Sequence, residues 1–102
     1  MKLRYSARAL QQLEEALGYI AEDNPGAALA IADAIDHRLN HLRRFPRSGR
    51  VVPELADPER RELIVAPVRV VYRVVGEEIR ILAVVHGRQL VQRAVKSKRR
   101  RG

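Results

Sequence analysis

Val68-Arg69-Val70-Val71-Tyr72-Arg73-Val74-Val75-Gly76-Glu77-Glu78-Ile79-Arg80-Ile81-Leu82-Ala83-Val84-Val85-His86 is the stretch on which the fold turns. It is rich in β-branched residues, and charged and apolar side chains alternate along much of it. Such a pattern predicts two strands, Val68 to Val75 and Glu78 to His86. Gly76-Glu77 suits a two-residue hairpin, with glycine at the first central position. Just upstream, Leu63 and Val65 begin a further strand and Pro67 marks the turn after it, so the C-terminal part is a three-strand meander.

Strict alternation assigns two faces. Leu63, Val65, Val68, Val70, Tyr72, Val74, Ile79, Ile81, Ala83 and Val85 fall on one side, which is apolar throughout and has to be covered by helices. Glu62, Ile64, Arg69, Val71, Arg73, Arg80, Leu82, Val84 and His86 fall on the other. With Gly76-Glu77 as the turn, Arg73 lies opposite Arg80, Val71 opposite Leu82, and Arg69 opposite Val84. Like charges directly opposite one another are destabilising. An anion, phosphate or partner carboxylate, held by Arg73 and Arg80 with Arg69 nearby would reverse that sign; the plain alternative is that Glu62 or Glu78 already neutralises the pair. Ile64, Val71, Leu82 and Val84 make an apolar cluster rimmed by this charge, the pattern of an interaction surface.

Toward the N-terminus, Lys2 to Tyr5 reads as a short strand and Ser6 as a helix N-cap. Leu10, Leu13, Leu17 and Ile20 then recur at helical spacing. The helix stops near Asp23. Asn24 caps a second one that runs from about Pro25, a residue suited to the first helical position, to Arg44. Its stripe is Ala28, Ile31, Ile35, Leu39 and Leu42. So short a connection makes the two helices an antiparallel hairpin. Phe45 to Arg50 is rich in turn formers, and Val51 to Glu59, with Pro53 and Pro58, reads as an irregular loop. The expected fold is therefore α+β: an N-terminal strand and an antiparallel two-helix hairpin, packed on one face of a mainly antiparallel sheet that ends in the three-strand meander. Residues 1–95 form one domain, and 96–102, Lys-Ser-Lys-Arg-Arg-Arg-Gly, a disordered basic tail.

The composition is that of an ordinary globular chain of 102 residues, 46% hydrophobic and 31% charged. With only four aromatic residues, the core has to be aliphatic. No apolar run reaches the ~20 residues of a membrane helix, and the start lacks the apolar stretch of a signal peptide. There is no cysteine for a disulfide or a thiolate metal site. A cytoplasmic protein that needs no cofactor or metal fits these features. The net charge of +8 is uneven, −2 over residues 1–40 and +10 over 41–102. That asymmetry suggests an anionic partner, nucleic acid or an acidic protein segment, against the alternative of solubilising surface charge.

Few residues carry recognisable chemistry. Asp33, His37 and His41 line one helical face, but it is the solvent face, and no further ligand joins them. His86 ends a strand beside Gly87 and Arg88. Glu14-Glu15 and Glu77-Glu78 read as solvated carboxylates. There is no Ser/His/Asp arrangement, glycine-rich phosphate loop or dinucleotide fingerprint.

The whole pattern resembles the RelE/ParE superfamily of bacterial type II toxins. The resemblance is carried by Tyr5-Ser6-Ala7-Arg8-Ala9-Leu10-Gln11-Gln12-Leu13, Tyr19-Ile20-Ala21, Asn24-Pro25, Phe45-Pro46-Arg47-Ser48-Gly49-Arg50, Arg61-Glu62-Leu63, Val68 to Val74, and Val85-His86-Gly87-Arg88, over about residues 2–90. It implies a growth-arresting toxin held in a hetero-oligomer by a cognate antitoxin, ParD-like or RelB-like, whose C-terminal segment wraps the toxin and orders on binding. The partner-binding residues would be Arg69, Arg73, Arg80, Ile64, Val71, Leu82 and Val84. RelE-like members cut mRNA on the ribosome; ParE-like members inhibit DNA gyrase. In the RNA-cutting case the catalytic residues would be Arg69, which matches a strand arginine of those members, with His86 and Arg88. Cleavage by a 2′-hydroxyl needs a base, an acid and charge stabilisation, and His86 is the single proton carrier among the three. No lysine occurs between Lys2 and Lys96, and Gln89-Leu90 stands where the RNA-cutting members often have an aromatic. These departures favour the ParE-like reading over the ribosome-dependent endoribonuclease; a non-toxic binding module is the third reading.

Overall fold

The computed structural model describes residues 1–87. In chain order the elements are β1 (Lys2–Tyr5), α1 (Ala7–Asp23), α2 (Pro25–Arg44), β2 (Arg50–Val51), β3 (Arg61–Val65), β4 (Val68–Val75) and β5 (Glu78–His86). They form one five-stranded sheet in the order β1-β5-β4-β3-β2. β1 runs parallel to β5, with Leu3 against Ile79, and the remaining neighbours are antiparallel. The α+β architecture expected from the sequence is the one observed, with one added strand: Arg50 and Val51, read as turn and loop, pair with Glu62 and Arg61.

The helix hairpin is punctuated as its residues dictate. The Ser6 hydroxyl accepts from the Ala9 N–H at 3.0 Å. Asn24 serves both helices: its N–H donates to the Ile20 carbonyl, closing α1, and its side chain accepts from the Ala27 N–H at 3.0 Å, opening α2. Pro25 follows at the first position, where a missing N–H costs nothing. On α2 the expected stripe faces the sheet, with Ala28, Ile35, Leu39 and Leu42 buried and Ile31 packed beside them. On α1 the buried face is turned by about one residue. Ala9 and Ala16 are buried, Leu13 and Ile20 pack against the core, and Leu10 is left 46% exposed. Small side chains at the contact let the helix backbone approach β5 closely, which pushes the longer leucine to the flank.

The sheet departs from strict alternation at one place. Arg73 pairs with Arg80 and Tyr72 with Ile81, but Val71 pairs with Ala83, so Leu82 is an extra residue in β5. A bulge of this kind reverses the faces of everything beyond it. Its cause lies next door. β1 pairs with β5 only through Ile81, because the chain turns at Ser6 into α1. Beyond that point side chains take over the edge: the Ser6 hydroxyl reaches the Leu82 carbonyl at 3.4 Å, and the Val84 N–H donates to Gln12 Oε1 at 2.9 Å.

The expected face assignment is corrected accordingly. Val84 belongs to the helix-side core, with Val70, Tyr72, Ile79 and Ile81. Ala83 and Val85 move to the far side, where they pack with Val71 under Val52 and Leu55. The expected pairs Val71 with Leu82 and Arg69 with Val84 are replaced by Val71 with Ala83 and Arg69 with Val85.

Gly49 anchors the chain between α2 and β2. A Cβ there would lie 2.6 Å from the Tyr72 hydroxyl and 2.7 Å from the Glu62 carbonyl oxygen, so only glycine fits without displacement. Its N–H donates to the Tyr72 hydroxyl at 3.0 Å, and that hydroxyl donates to the Pro46 carbonyl at 2.8 Å.

Candidate partner-binding face and its arginines

The far face of the sheet is not an open surface. The loop between β2 and β3 crosses it as a strap, with Val52 buried and Leu55 partly buried over Val71, Ala83 and Val85. Val71 is fully enclosed, and Val84 lies on the other side of the sheet with 2% exposure. Of the four apolar residues expected to form one exposed patch, Ile64 is exposed and Leu82 half-buried. The patch is therefore corrected: the bulge removes Val84 and the strap covers Val71.

Glu62 lies beneath the strap with a fully buried side chain and holds two guanidiniums. Arg50 Nε donates to its Oε2 at 2.6 Å and Arg69 Nε to its Oε1 at 2.7 Å. The other edge of Arg69 makes a bidentate pair with Glu54 on the strap, both contacts at 2.8 Å. Paired hydrogen bonds of this geometry are the strongest form of the ion pair. They draw the Glu54 carboxyl down to about 2, chiefly through the hydrogen bonds from Arg69, and raise the Arg69 guanidinium above its ordinary range. Burying a carboxylate such as Glu62 is tolerable only because charged donors replace the lost water.

Arg73 and Arg80 do stand opposite each other, as the hairpin register requires. Each has a carboxylate of its own. Arg73 donates to Glu59 of the strap at 2.9 Å, and Arg80 Nε to Glu78 at 2.7 Å. Glu78 also lies 3.7 Å from Arg4, and its carboxyl is lowered mainly by the Arg80 hydrogen bond. The neutralisation expected of Glu78 is present, whereas Glu62 serves Arg69 and Arg50 instead. Arg69 has a different set of carboxylates, Glu54 and Glu62, from those of the facing pair.

His86 sits on the helix side, since it pairs with Val68, a helix-side residue. Its ring meets Tyr19 of α1 edge-on, with centroids 5.1 Å apart, at the rim of a cleft of about 260 Å³ lined by Gln12, Glu15, Ala16, Tyr19 and Val84. The bulge thus puts Arg69 and His86, expected on one face, on opposite faces of the sheet. Arg88 and the expected tail, 96–102, lie outside the described residues. On α2, Asp33, His37 and His41 are exposed as expected; His41 packs against the Phe45 ring at 4.9 Å.

Sequence reasoning missed the strap. The signal was present: Val52 and Leu55 are apolar residues within an otherwise polar, proline-broken loop. Its carboxylates, Glu54, Asp57 and Glu59, pair with Arg69, Arg60 and Arg73 respectively.

The chain is thus a small α+β domain: a strand, a two-helix hairpin and a meander closed by the parallel N-terminal strand. Residues 3–91 match the family model of the ParE toxin of the type II toxin-antitoxin system parDE. The chain is 34% identical to "Putative toxin Y4kP" of Sinorhizobium fredii over 94 residues, covering 86% of this chain and 90% of the relative. Its fold is also that of a chain in the chromosomal ParDE toxin-antitoxin structure from P. aeruginosa, with a TM-score of 0.69 at 24% identity over 85% of this chain and 96% of that one. The chain belongs to the ParE toxin family of type II toxin-antitoxin systems. Among the described residues no helix is long and apolar enough to cross a membrane.

Proposed function

We propose that this protein is a cytoplasmic ParE-type toxin that arrests growth by binding DNA gyrase, without hydrolytic chemistry of its own, and that a cognate ParD-like antitoxin holds it inactive. The observation that carries the reading is the state of Arg69. In an RNA-cutting mechanism this guanidinium would have to reach a scissile phosphate, and His86 would have to move protons beside it. Arg69 instead has all three of its nitrogens committed to Glu54 and Glu62. His86 faces the helix side of the sheet. Releasing Arg69 would mean breaking a bidentate pair with Glu54 and taking one of two charged partners from the buried Glu62, which is costly.

Antitoxin binding is assigned to what the strap leaves accessible of the expected residues: Ile64, Leu82, Arg73 and Arg80. Apolar contact at Ile64 and Leu82 supplies affinity, while an acidic antitoxin segment exchanges with Glu59 and Glu78 at the two arginines, which favours fast, steered association. The test is supercoiling of relaxed plasmid by purified gyrase in the presence of the protein, with and without its antitoxin. Inhibition that the antitoxin relieves supports the reading. Unimpaired supercoiling at stoichiometric excess, together with cleavage of ribosome-bound mRNA, would replace it with the endoribonuclease.

A further inference from the structure

The charge of the molecule is segregated in a way the sheet face does not use. Residues 1–87 carry thirteen Lys/Arg and twelve Asp/Glu. Five of those arginines, Arg38, Arg43, Arg44, Arg47 and Arg50, fall within residues 37–53, which also hold two histidines and no carboxylate at all. On the sheet, Arg4, Arg50, Arg69, Arg73 and Arg80 each pair with an acid. Arg38, Arg43, Arg44 and Arg47 are exposed, and no carboxylate lies within salt-bridge distance of them among the described residues.

These side chains surround one exposed aromatic ring. Phe45, which ends α2, is 51% exposed. The His41 ring tilts against it at 38°, and the Arg44 guanidinium lies 5.8 Å from its centroid. The following turn is held rigidly: the Ser48 N–H donates to the Phe45 carbonyl, and the Tyr72 hydroxyl takes the Pro46 carbonyl from below. Arg61 adds a further cation, donating to the Gly49 carbonyl at 2.8 Å. Beside the turn, Arg38, His41, Ser48 and Gly49 line a small polar cleft of about 160 Å³. Cations in the last turn of a helix are favoured by its dipole, which accounts for His41, Arg43 and Arg44. It accounts neither for Arg47, beyond the helix, nor for an aromatic ring left in water.

We propose that the end of α2 and the turn after it, from Arg43 to Arg47, form a binding surface for single-stranded nucleic acid. Arg43, Arg44 and Arg47 meet consecutive phosphates, and Phe45 stacks with an unpaired base. The surface uses arginine throughout and no lysine, which suits forked contact with phosphate oxygens. A ring flanked by a guanidinium and an imidazole is the stacking platform that single strands use whatever their sequence. Duplex DNA would engage the arginines without the ring.

The experiment is fluorescence anisotropy of a labelled single-stranded oligonucleotide of about twenty residues, titrated with the full chain over a range of salt. The triple variant Arg43→Gln/Arg44→Gln/Arg47→Gln is expected to lower the slope of log K against log salt by about 2, three phosphate contacts being lost at about 0.7 each. Phe45→Ala is expected to weaken single-strand binding about tenfold with the slope unchanged, and to leave duplex binding as it was. Circular dichroism verifies that both variants stay folded, as substitutions of exposed residues should. Two results would overturn the proposal. In one, both variants bind as the wild type does, while changing Lys96, Lys98 and Arg99–Arg101 to glutamine abolishes binding, so that the C-terminal basic run does all the work. In the other, polyglutamate competes as well as the oligonucleotide and Phe45→Ala has no effect, which makes the surface a site for acidic polypeptide.

Discussion

The two faces of the sheet are buried by different means. On the helix side, Val68, Val70, Tyr72, Ile79, Ile81 and Val84 meet the leucine, isoleucine and alanine stripes of the hairpin, and apolar area dominates the contact, with hydrogen bonds to Gln12 and from Arg38 at its edges. On the far side a few small side chains, Val71, Ala83 and Val85, lie under a loop whose Glu54 and Glu59 are fastened to Arg69 and Arg73, while the buried Glu62 of β3 ties Arg69 to Arg50 at the loop's root. A regular element can cover a sheet with a repeating stripe. A proline-broken loop presents two apolar side chains, Val52 and Leu55, and needs charge to set its position. Arg69 and Arg73, which resemblance offered as catalytic or partner-binding, are on this face the fasteners of the loop.

Three substitutions separate the two modes of burial. The largest effect is expected on the helix side. Ile81→Ala removes a fully buried side chain from a packed core and should cost about 2–5 kcal/mol, read from the urea midpoint. Next is Glu62→Gln, which leaves two guanidiniums without their buried charge. Loss of one partner of a buried pair costs about 3–5 kcal/mol, and because Arg69 keeps Glu54 and Arg50 is largely solvated, about 2 kcal/mol is expected here. If Glu62→Gln proved neutral, the buried charge would contribute nothing to the far face and the contrast between the faces would fail.

The smallest effect belongs to Glu54, at the strap's exposed edge. Its pairing with Arg69 should contribute no more than about 1 kcal/mol, since exposed pairs are screened by solvent. The sign of its pH dependence is fixed. The carboxyl is depressed from its ordinary 4.5 to about 2 in the folded state. The stabilisation is therefore complete above pH 4.5 and is lost as pH falls through about 2. Urea midpoints of the wild type and Glu54→Gln should differ by a constant amount from neutral pH down to about 4.5 and converge below it. A gap that persisted at pH 2 would place the effect of Glu54 in packing instead.

Much of the fold was legible because punctuation and period agree. Ser6, Asn24-Pro25 and Gly76-Glu77 each set a boundary that the structure keeps, and the α2 stripe from Ala28 to Leu42 faces the core as spaced. The face assignment beyond Ile81 was not legible. Leu82, Ala83, Val84 and Val85 are all apolar, so no polar residue marks which of them points outward. The bulge is fixed by contacts from Ser6 and Gln12, about seventy residues away in the chain. The candidate site suffered most from this single slip, since it moved His86 away from Arg69 and Val84 into the core. The partners of Arg69 were invisible for another reason: the strap has no periodicity, and only the fold brings Glu54 and Glu62 to one guanidinium.

The central claim is that Arg69 and His86 are structural residues on opposite faces and not parts of one catalytic centre. It is tested most directly by pulse-labelling DNA and protein synthesis after induction without antitoxin, for the wild type and for His86→Ala/Arg88→Ala side by side. DNA synthesis should fall first, and equally in both. An early fall in protein synthesis that disappears in the double variant would contradict the account and restore an RNA-cutting site at Arg69, His86 and Arg88.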